Sequence, residues 1–387
     1  MLRPLLLISA LVAPFGLAHA EPEHAKKITF ASIVEANFSK WDLNHDGRLS
    51  AEETNQLVVN HAITGDVAAA VASIHIYLRS KKHDAPLTRE MLIRPAGKGG
   101  DSERRDRAER VPHFGANFQA FRHHIAQAPH ELFVGNAPSL TGFSQGNLGD
   151  CYFLSAVGAA VARNPAGIRQ MFHPQPNGSC DLVFANGRRV HISRLTDAEI
   201  ALGSSGGQQG LWLNMLEKGF GQLKLRTSKE AHHSGLGLDV ISTGGDADDT
   251  IELLTGHRAG YLAIRNGKGK DRLPPAENRI PLLTAQLRQV LRVGNAVHPL
   301  LCCGTSTGKL PPGVVTDHDY AILGYDSSND SVLVWNPWGN QHTPKGAPGL
   351  QNGYAVEGGK FSVPLHDFVR IFEGVYYETA MLPHKRR

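Results

Sequence analysis

The sequence predicts an α+β protein built in two parts, a small helical unit near the N-terminus and a larger unit with more β-structure behind it. Three observations support that division. Residues 28–95 carry apolar side chains at helical spacing, interrupted by one sharp acidic loop. Residues 96–112 are polar, mix both charge signs and contain Gly and Pro, which reads as a linker. From residue 113 to 387, Gly-rich turns separate short apolar runs such as Leu182-Val183-Phe184 and Val332-Leu333-Val334-Trp335, with helical stretches at 152–162 and 281–293 between them. The 41 Gly and 22 Pro argue against a helical bundle, and 4 Cys in 387 residues exclude a disulfide-dense scaffold.

The first segment reads as a secretory signal peptide, residues 1–20. It has Arg3, an apolar run from Leu5 to Leu17, and Ala18-His19-Ala20 as the cleavage signal. Pro14 and Gly16 break the run, which is shorter than the roughly 20 residues that span a bilayer. The expectation is an exported chain, periplasmic or secreted, with no membrane span once mature. The 40 basic and 36 acidic residues leave a formal net charge of +4. The densest charge run, 101–110, mixes both signs, so no nucleic-acid partner is expected.

The acidic loop runs Asp42-Leu43-Asn44-His45-Asp46-Gly47-Arg48-Leu49-Ser50-Ala51-Glu52-Glu53. Oxygen-bearing side chains fall at its positions 1, 3, 5, 9 and 12, Gly47 falls where the chain must turn sharply, and Leu49 points to the core. That is the EF-hand pattern, which suits Ca²⁺, a hard ion wanting six to eight oxygens. Asp42, Asn44 and Asp46 would each give one oxygen, Arg48 its carbonyl, Ser50 a water-bridged contact and Glu53 two oxygens. Ile33, Val34, Phe38 and Trp41 line one face of the incoming helix, and Leu57 and Val58 lie on the outgoing one. Residues 81–93, where Leu87 precedes Thr88-Arg89-Glu90, are either a degenerate partner with too few acids for calcium or no such motif at all.

The larger unit holds the residues with catalytic chemistry. In Gln145-Gly146-Asn147-Leu148-Gly149-Asp150-Cys151 a Gly-rich turn ends in a thiol, and a helix-forming run follows. A helix N-terminus favours the thiolate. The Gln145 amide and the Cys151 backbone N–H would be donors to a developing oxyanion. His318 stands just before the strand-like run Tyr320-Ala321-Ile322-Leu323, suited to activate the thiol and then protonate a leaving amine. Asn336, in Trp335-Asn336-Pro337-Trp338-Gly339, would orient the imidazole, with Trp338 shielding that hydrogen bond on the substrate side. Cys, His and Asn in this order make the thiol version of a hydrolytic triad.

These segments resemble the calpain-type cysteine proteases. QGNLGDCYFLSA is similar to the family's nucleophile segment, and DHDYAILGYD and VLVWNPWG to its His and Asn segments. Leu211–Phe220, and Gly244-Gly245 followed by Thr250–Gly256, are similar to two further family blocks. Phe133–Ala137 matches the lead-in to the nucleophile. The resemblance implies a two-lobed papain-like core over 113–387, with Gln145 and Cys151 on one lobe and His318 and Asn336 on the other. It also implies that Gly245 presents backbone to an extended protein or peptide substrate, bound with loose sequence selectivity. This sequence departs from the family at Tyr152, where many relatives carry Trp. It departs again at Asp317, where Gly is frequent and a carboxylate would raise the pKa of His318 or crowd the substrate. The calcium loop precedes the protease unit, whereas well-known relatives carry theirs after it.

The resulting expectation is an exported, calcium-dependent cysteine endopeptidase. The competing reading is a calcium-binding protein on a catalytically silent scaffold of the same kind. A transglutaminase-like transferase fits less well, because Asn336 stands where Asp is usual. Cys302 and Cys303, beside the apolar run Pro299-Leu300-Leu301, read as core thiols, and export would permit one disulfide, Cys180 with one of them.

Overall fold

The structure is a computed structural model. It describes residues 28–79, 85–94, 114–135, 137–227, 235–265 and 275–381. The segments expected to be a signal peptide (1–20) and a linker (96–112), and residues 81–84 of the expected second loop, lie outside the described residues.

The N-terminal unit begins with α1 (Phe30–Trp41), whose start is fixed by a reciprocal capping box between Thr29 and Ser32. Its apolar residues Phe30, Val34, Phe38 and Trp41 recur every three or four positions and are all buried. The acidic loop leads through β1 (Arg48–Leu49) into α2 (Ala51–Val58), where Ser50 and Glu53 form a second capping box. The Ala-rich α3 (Gly65–Leu78) is buried on nearly every face. β2 (Leu87–Thr88) and α4 (Arg89–Ile93) follow. β1 and β2 pair antiparallel, Arg48 with Thr88 and Leu49 with Leu87. The expected all-α unit therefore carries a two-stranded ribbon, because the extended residues leaving each loop satisfy their backbone groups on each other. α5 (Phe114–Gln127), on the far side of the expected linker, also joins this core, with the Phe30 and Phe114 rings stacked at 5.2 Å.

The first lobe of the larger unit is mostly helical. It comprises α6 (Cys151–Arg163), α7 (Pro165–Gln170), a three-stranded sheet of β3 (Phe172–Pro174), β4 (Cys180–Val183) and β5 (Arg189–Ile192), then α8 (Asp197–Leu202), α9 (Trp212–Thr227), α10 (Gly237–Ile241) and α11 (Ala247–Thr255). The second lobe contains β6 (His257–Ala263), α12 (Ile280–Val297), β7 (Leu301–Thr305), β8 (Asp319–Asp326), β9 (Ser331–Trp335), β10 (Lys360–Pro364), α13 (Leu365–Ile371) and β11 (Phe372–Met381). Its six strands form one antiparallel sheet in the order β10-β9-β8-β7-β11-β6. The N-terminal unit docks on the first lobe. Ala198, Ala201 and Leu202 of α8 share its core, Thr196 Oγ1 donates to Val58 O at 2.6 Å, and Gly65 N–H donates to Asp197 Oδ2 at 2.7 Å. All four cysteines are free thiols, so the disulfide that export would permit is not formed. No helix among the described residues is long and apolar enough to cross a membrane.

The lobes meet where α6 lies against β8 and β9. Gly158 of α6 faces Trp335, and a Cβ there would fall 2.1 Å from the indole. Both residues are buried, so neither can swing aside. We expect Gly158→Ala to destabilise the protein by about 1–3 kcal/mol in denaturant unfolding. A change below about 0.5 kcal/mol would mean that the helix and sheet slide apart freely.

Candidate active site

Cys151 is the first residue of α6, so its thiol sits at the positive end of the helix dipole. The preceding loop is pinned at several points. Gln145 N–H donates to Pro337 O at 2.9 Å, and Gly149 approaches Ser242 O so closely that a Cβ would lie 2.4 Å from it. The Gln145 side chain turns into this loop. Its Nε2 donates to Leu148 O at 2.8 Å and to Asp150 Oδ1 at 3.4 Å, so the amide hydrogens expected to meet an oxyanion are engaged locally.

His318 directly precedes β8, and Asn336 directly follows β9. The register Ala321 opposite Trp335 brings both to the same end of the paired strands. His318 backbone is held by Thr305, whose N–H donates to His318 O at 2.9 Å and whose Oγ1 accepts from His318 N–H at 3.2 Å. His318 Nε2 donates to Asn336 Oδ1 at 2.7 Å. The same oxygen accepts from Trp338 N–H at 2.9 Å, and Asn336 Nδ2 donates to Asn340 Oδ1 at 3.0 Å. Asn336 is fully buried, so the amide has one orientation, and Nδ1 of His318 is left as the unprotonated nitrogen. The Trp338 ring lies 4.8 Å from the imidazole and remains 48% exposed, covering this pair on its solvent side.

One cleft of about 740 Å³ separates the lobes, and Gln145, Cys151, Gly245, His318 and Trp338 all line it, with Asn336 behind. Gly245 lies on the exposed rim, packed on the Tyr152 ring where a Cβ would come within 2.8 Å. No residue of the N-terminal unit lines the cleft, so among the described residues that unit does not block it.

Two features of the cleft have no local sequence signal. The Cys151 Sγ hydrogen bond goes to Asp319 Oδ2, at 3.9 Å, and not to the imidazole. Behind the nucleophile, Asp150 and Glu217 form a buried carboxyl pair; burial holds both above the usual range, Asp150 at about 6 against the opposing pull of its hydrogen bond with Glu217, while the Asp150 charge raises Glu217 further. Arg79, following α3 of the N-terminal unit, reaches this region and donates from Nη2 to Asn147 O at 2.6 Å. Asp319, Glu217 and Arg79 are each brought in by tertiary packing from a distant segment.

Burial pushes the Cys151 thiol up to about 12, reinforced by the Asp319 charge. Burial likewise draws the His318 imidazole down to about 4, outweighing its bond to Asn336. Asp317, expected to raise the pKa of His318, does act in that direction, but desolvation is larger. The resting pair is therefore a neutral thiol and a neutral imidazole. An ion pair needs the thiol to titrate below the imidazole, so the cleft must rearrange before the thiolate forms.

The acidic loop is also described. Asp42 accepts from Asp46 N–H at 3.1 Å and Gly47 N–H at 2.8 Å, and Glu53 accepts from Leu43 N–H and Ser50 N–H, each at 2.8 Å. Asp42 and Glu53 are buried, and among the described residues neither pairs with a basic side chain. No group of three or more His, Cys, Asp or Glu side chains among the described residues converges as a metal site. The loop's other oxygens belong to Asn44, Ser50 and the Arg48 carbonyl, outside those residue types.

A helix-start thiol on one lobe facing a His–Asn pair on the other is the layout of a cysteine hydrolase. The chain belongs to the calpain family of cysteine proteases, whose family model matches residues 117–348. No curated protein matches the chain.

The resting pair makes a direct prediction. Without calcium, alkylation of Cys151 by iodoacetamide should climb steadily with pH from about 7 to beyond 9, as the thiolate fraction rises. A rate already at its plateau below about pH 6 would reveal a preformed ion pair.

Proposed function

We propose that this protein is an exported, calcium-dependent cysteine endopeptidase. The observation that carries the reading is the shared cleft, which holds Cys151 at a helix start opposite the buried His318–Asn336 pair. In this mechanism His318 Nδ1 takes the thiol proton, and the thiolate attacks the substrate carbonyl carbon. The oxyanion is met by Cys151 N–H and by the Gln145 amide, once that amide is released from its loop partners. His318 then gives its proton to the leaving amine, and water hydrolyses the thioester. Asn336 keeps the imidazole in the tautomer that this sequence needs. Gly245 offers backbone to an extended peptide, and Trp338 keeps water from the His318–Asn336 bond.

We read the N-terminal unit as a paired EF-hand domain, supported by the β1–β2 ribbon that joins its two helix–loop–helix halves. The donor types suit calcium, with Asp42, Asp46 and Glu53 not drawn together as one cluster in this structure. The loop's oxygens are those of Asp42, Asn44, Asp46, Ser50, Glu53 and the Arg48 carbonyl, and among the described residues the buried carboxylates of Asp42 and Glu53 pair with no basic side chain. A bound Ca²⁺ would supply that positive charge and stiffen the loop between α1 and α2. Arg79 gives this unit a physical link to the nucleophile loop. Export rests on the character of residues 1–20.

Casein hydrolysis by the mature chain, assayed with millimolar calcium and with a chelator, tests the reading. Activity should need calcium and fall by at least about 10³-fold in Cys151→Ala. An active Cys151→Ala would refute the nucleophile, and equal rates with chelator would leave the loop a structural role only. Glu53→Gln should weaken calcium binding by at least tenfold or so in calorimetry, since a bidentate ligand is lost; unaltered binding would move the calcium site elsewhere.

A further inference from the structure

We propose that Asp319 is a specificity-determining residue whose carboxylate anchors a Lys or Arg side chain of the substrate close to the scissile bond. The inference rests on the endopeptidase reading above and names the substrate class that the cleft accepts. Asp319 is the first residue of β8, beside His318, and its Oδ2 is the hydrogen-bond partner of Cys151 Sγ at 3.9 Å. Across the ladder stands Gly304 of β7, where a Cβ would meet Asp319 Oδ1 at 2.7 Å. Only a residue without a side chain leaves room for this carboxyl, and Asp319, half-buried, lines the cleft.

The groups that line the cleft around it are mainly acidic, and Glu373 among them also lies within electrostatic reach of Arg265. Among the described residues no Lys or Arg lines the cleft, whereas Asp246, Asp317 and Glu373 share its wall with Asp319. Burial and those three neighbouring charges raise the Asp319 carboxyl to about 7. A carboxylate this close to the nucleophile opposes formation of the thiolate. A substrate cation would reverse that effect, neutralising Asp319 at the moment the thiolate is needed. The opposite rim is suited to deliver one. An extended substrate paired with the Gly245 backbone sends alternate side chains toward the sheet lobe. The Tyr261 and Tyr376 rings, 4.6 Å apart in the same wall, offer aromatic surface for the stem and charge of a long basic side chain.

The test compares internally quenched peptides that carry Arg, Lys, norleucine or Glu at each of the three positions on either side of the cleaved bond. Mature full-length protein with calcium is assayed. At one position a basic residue should raise kcat/KM by about tenfold or more over norleucine, with Glu the poorest. Asp319→Asn keeps the shape and removes the charge. It should lower the basic-to-norleucine ratio by about tenfold, with the norleucine peptide itself cut faster. Equal turnover of basic and norleucine peptides by the unaltered enzyme, or a ratio that Asp319→Asn does not move, would overturn the inference. Binding gives a readout independent of turnover. By calorimetry, Cys151→Ala should hold the best basic peptide about tenfold more tightly than Cys151→Ala with Asp319→Asn, and equal affinity of two variants with matching thermal melts would also overturn it. Cleavage of casein and epoxide labelling of Cys151 without any basic preference would sink this inference alone. Absence of both cleavage and labelling would remove the endopeptidase reading and this inference with it.

Discussion

The contact between α6 and the paired strands β8 and β9 is the constraint on which the cleft depends. α6 is almost wholly buried, so its position is set by packing on all sides. Its first residue is Cys151, and its Gly158 is pressed on Trp335, the residue immediately before Asn336. The nucleophile and the imidazole partner are thus fixed through one helix–sheet contact, although they lie far apart in the chain. Any movement of the helix along the sheet would shift Cys151 relative to His318 and Asn336 together.

The electrostatics of the cleft run against its geometry. The dipole of α6 favours a thiolate, yet burial and the adjacent Asp319 favour the neutral thiol more strongly. The imidazole is correctly oriented and held in the useful tautomer, yet desolvation keeps it uncharged. The His318–Asn336 pair is therefore oriented while its charge is withheld, and the thiol and the Gln145 amide are still engaged elsewhere.

The N-terminal unit is in contact with the nucleophile loop. None of its described residues lines the cleft, and it is joined to the first lobe through a shared apolar core with α8 and through the buried His75–Asp239 contact at 2.9 Å. Arg79 then extends from the end of α3 to the carbonyl of Asn147, inside the loop that carries both Gln145 and Cys151. Desolvation makes this arginine a costly group to bury, and the neighbouring charges of Asp239 and Asp150 offset that cost. The acidic loop, α2, α3 and the nucleophile loop form one continuous packed path.

The sequence by itself determined the local elements: the capped helices, the twelve-residue acidic loop, the Gly-rich turn before Cys151, and the strands flanking His318 and Asn336. These are legible because their signals lie within a few residues: capping residues, apolar period and turn chemistry. The family blocks made the candidate site legible as well, because each catalytic side chain sits inside its own local motif. Only the tertiary structure decided how those motifs interact. The β1–β2 ribbon, the docking of α5 with the N-terminal helices, the inward turn of Gln145 and the carboxyl of Asp319 beside the thiol all arise between distant segments. The neutral state of Cys151 and His318 was likewise hidden, since desolvation depends on what the whole chain packs around a group, and no spacing along the sequence reports it.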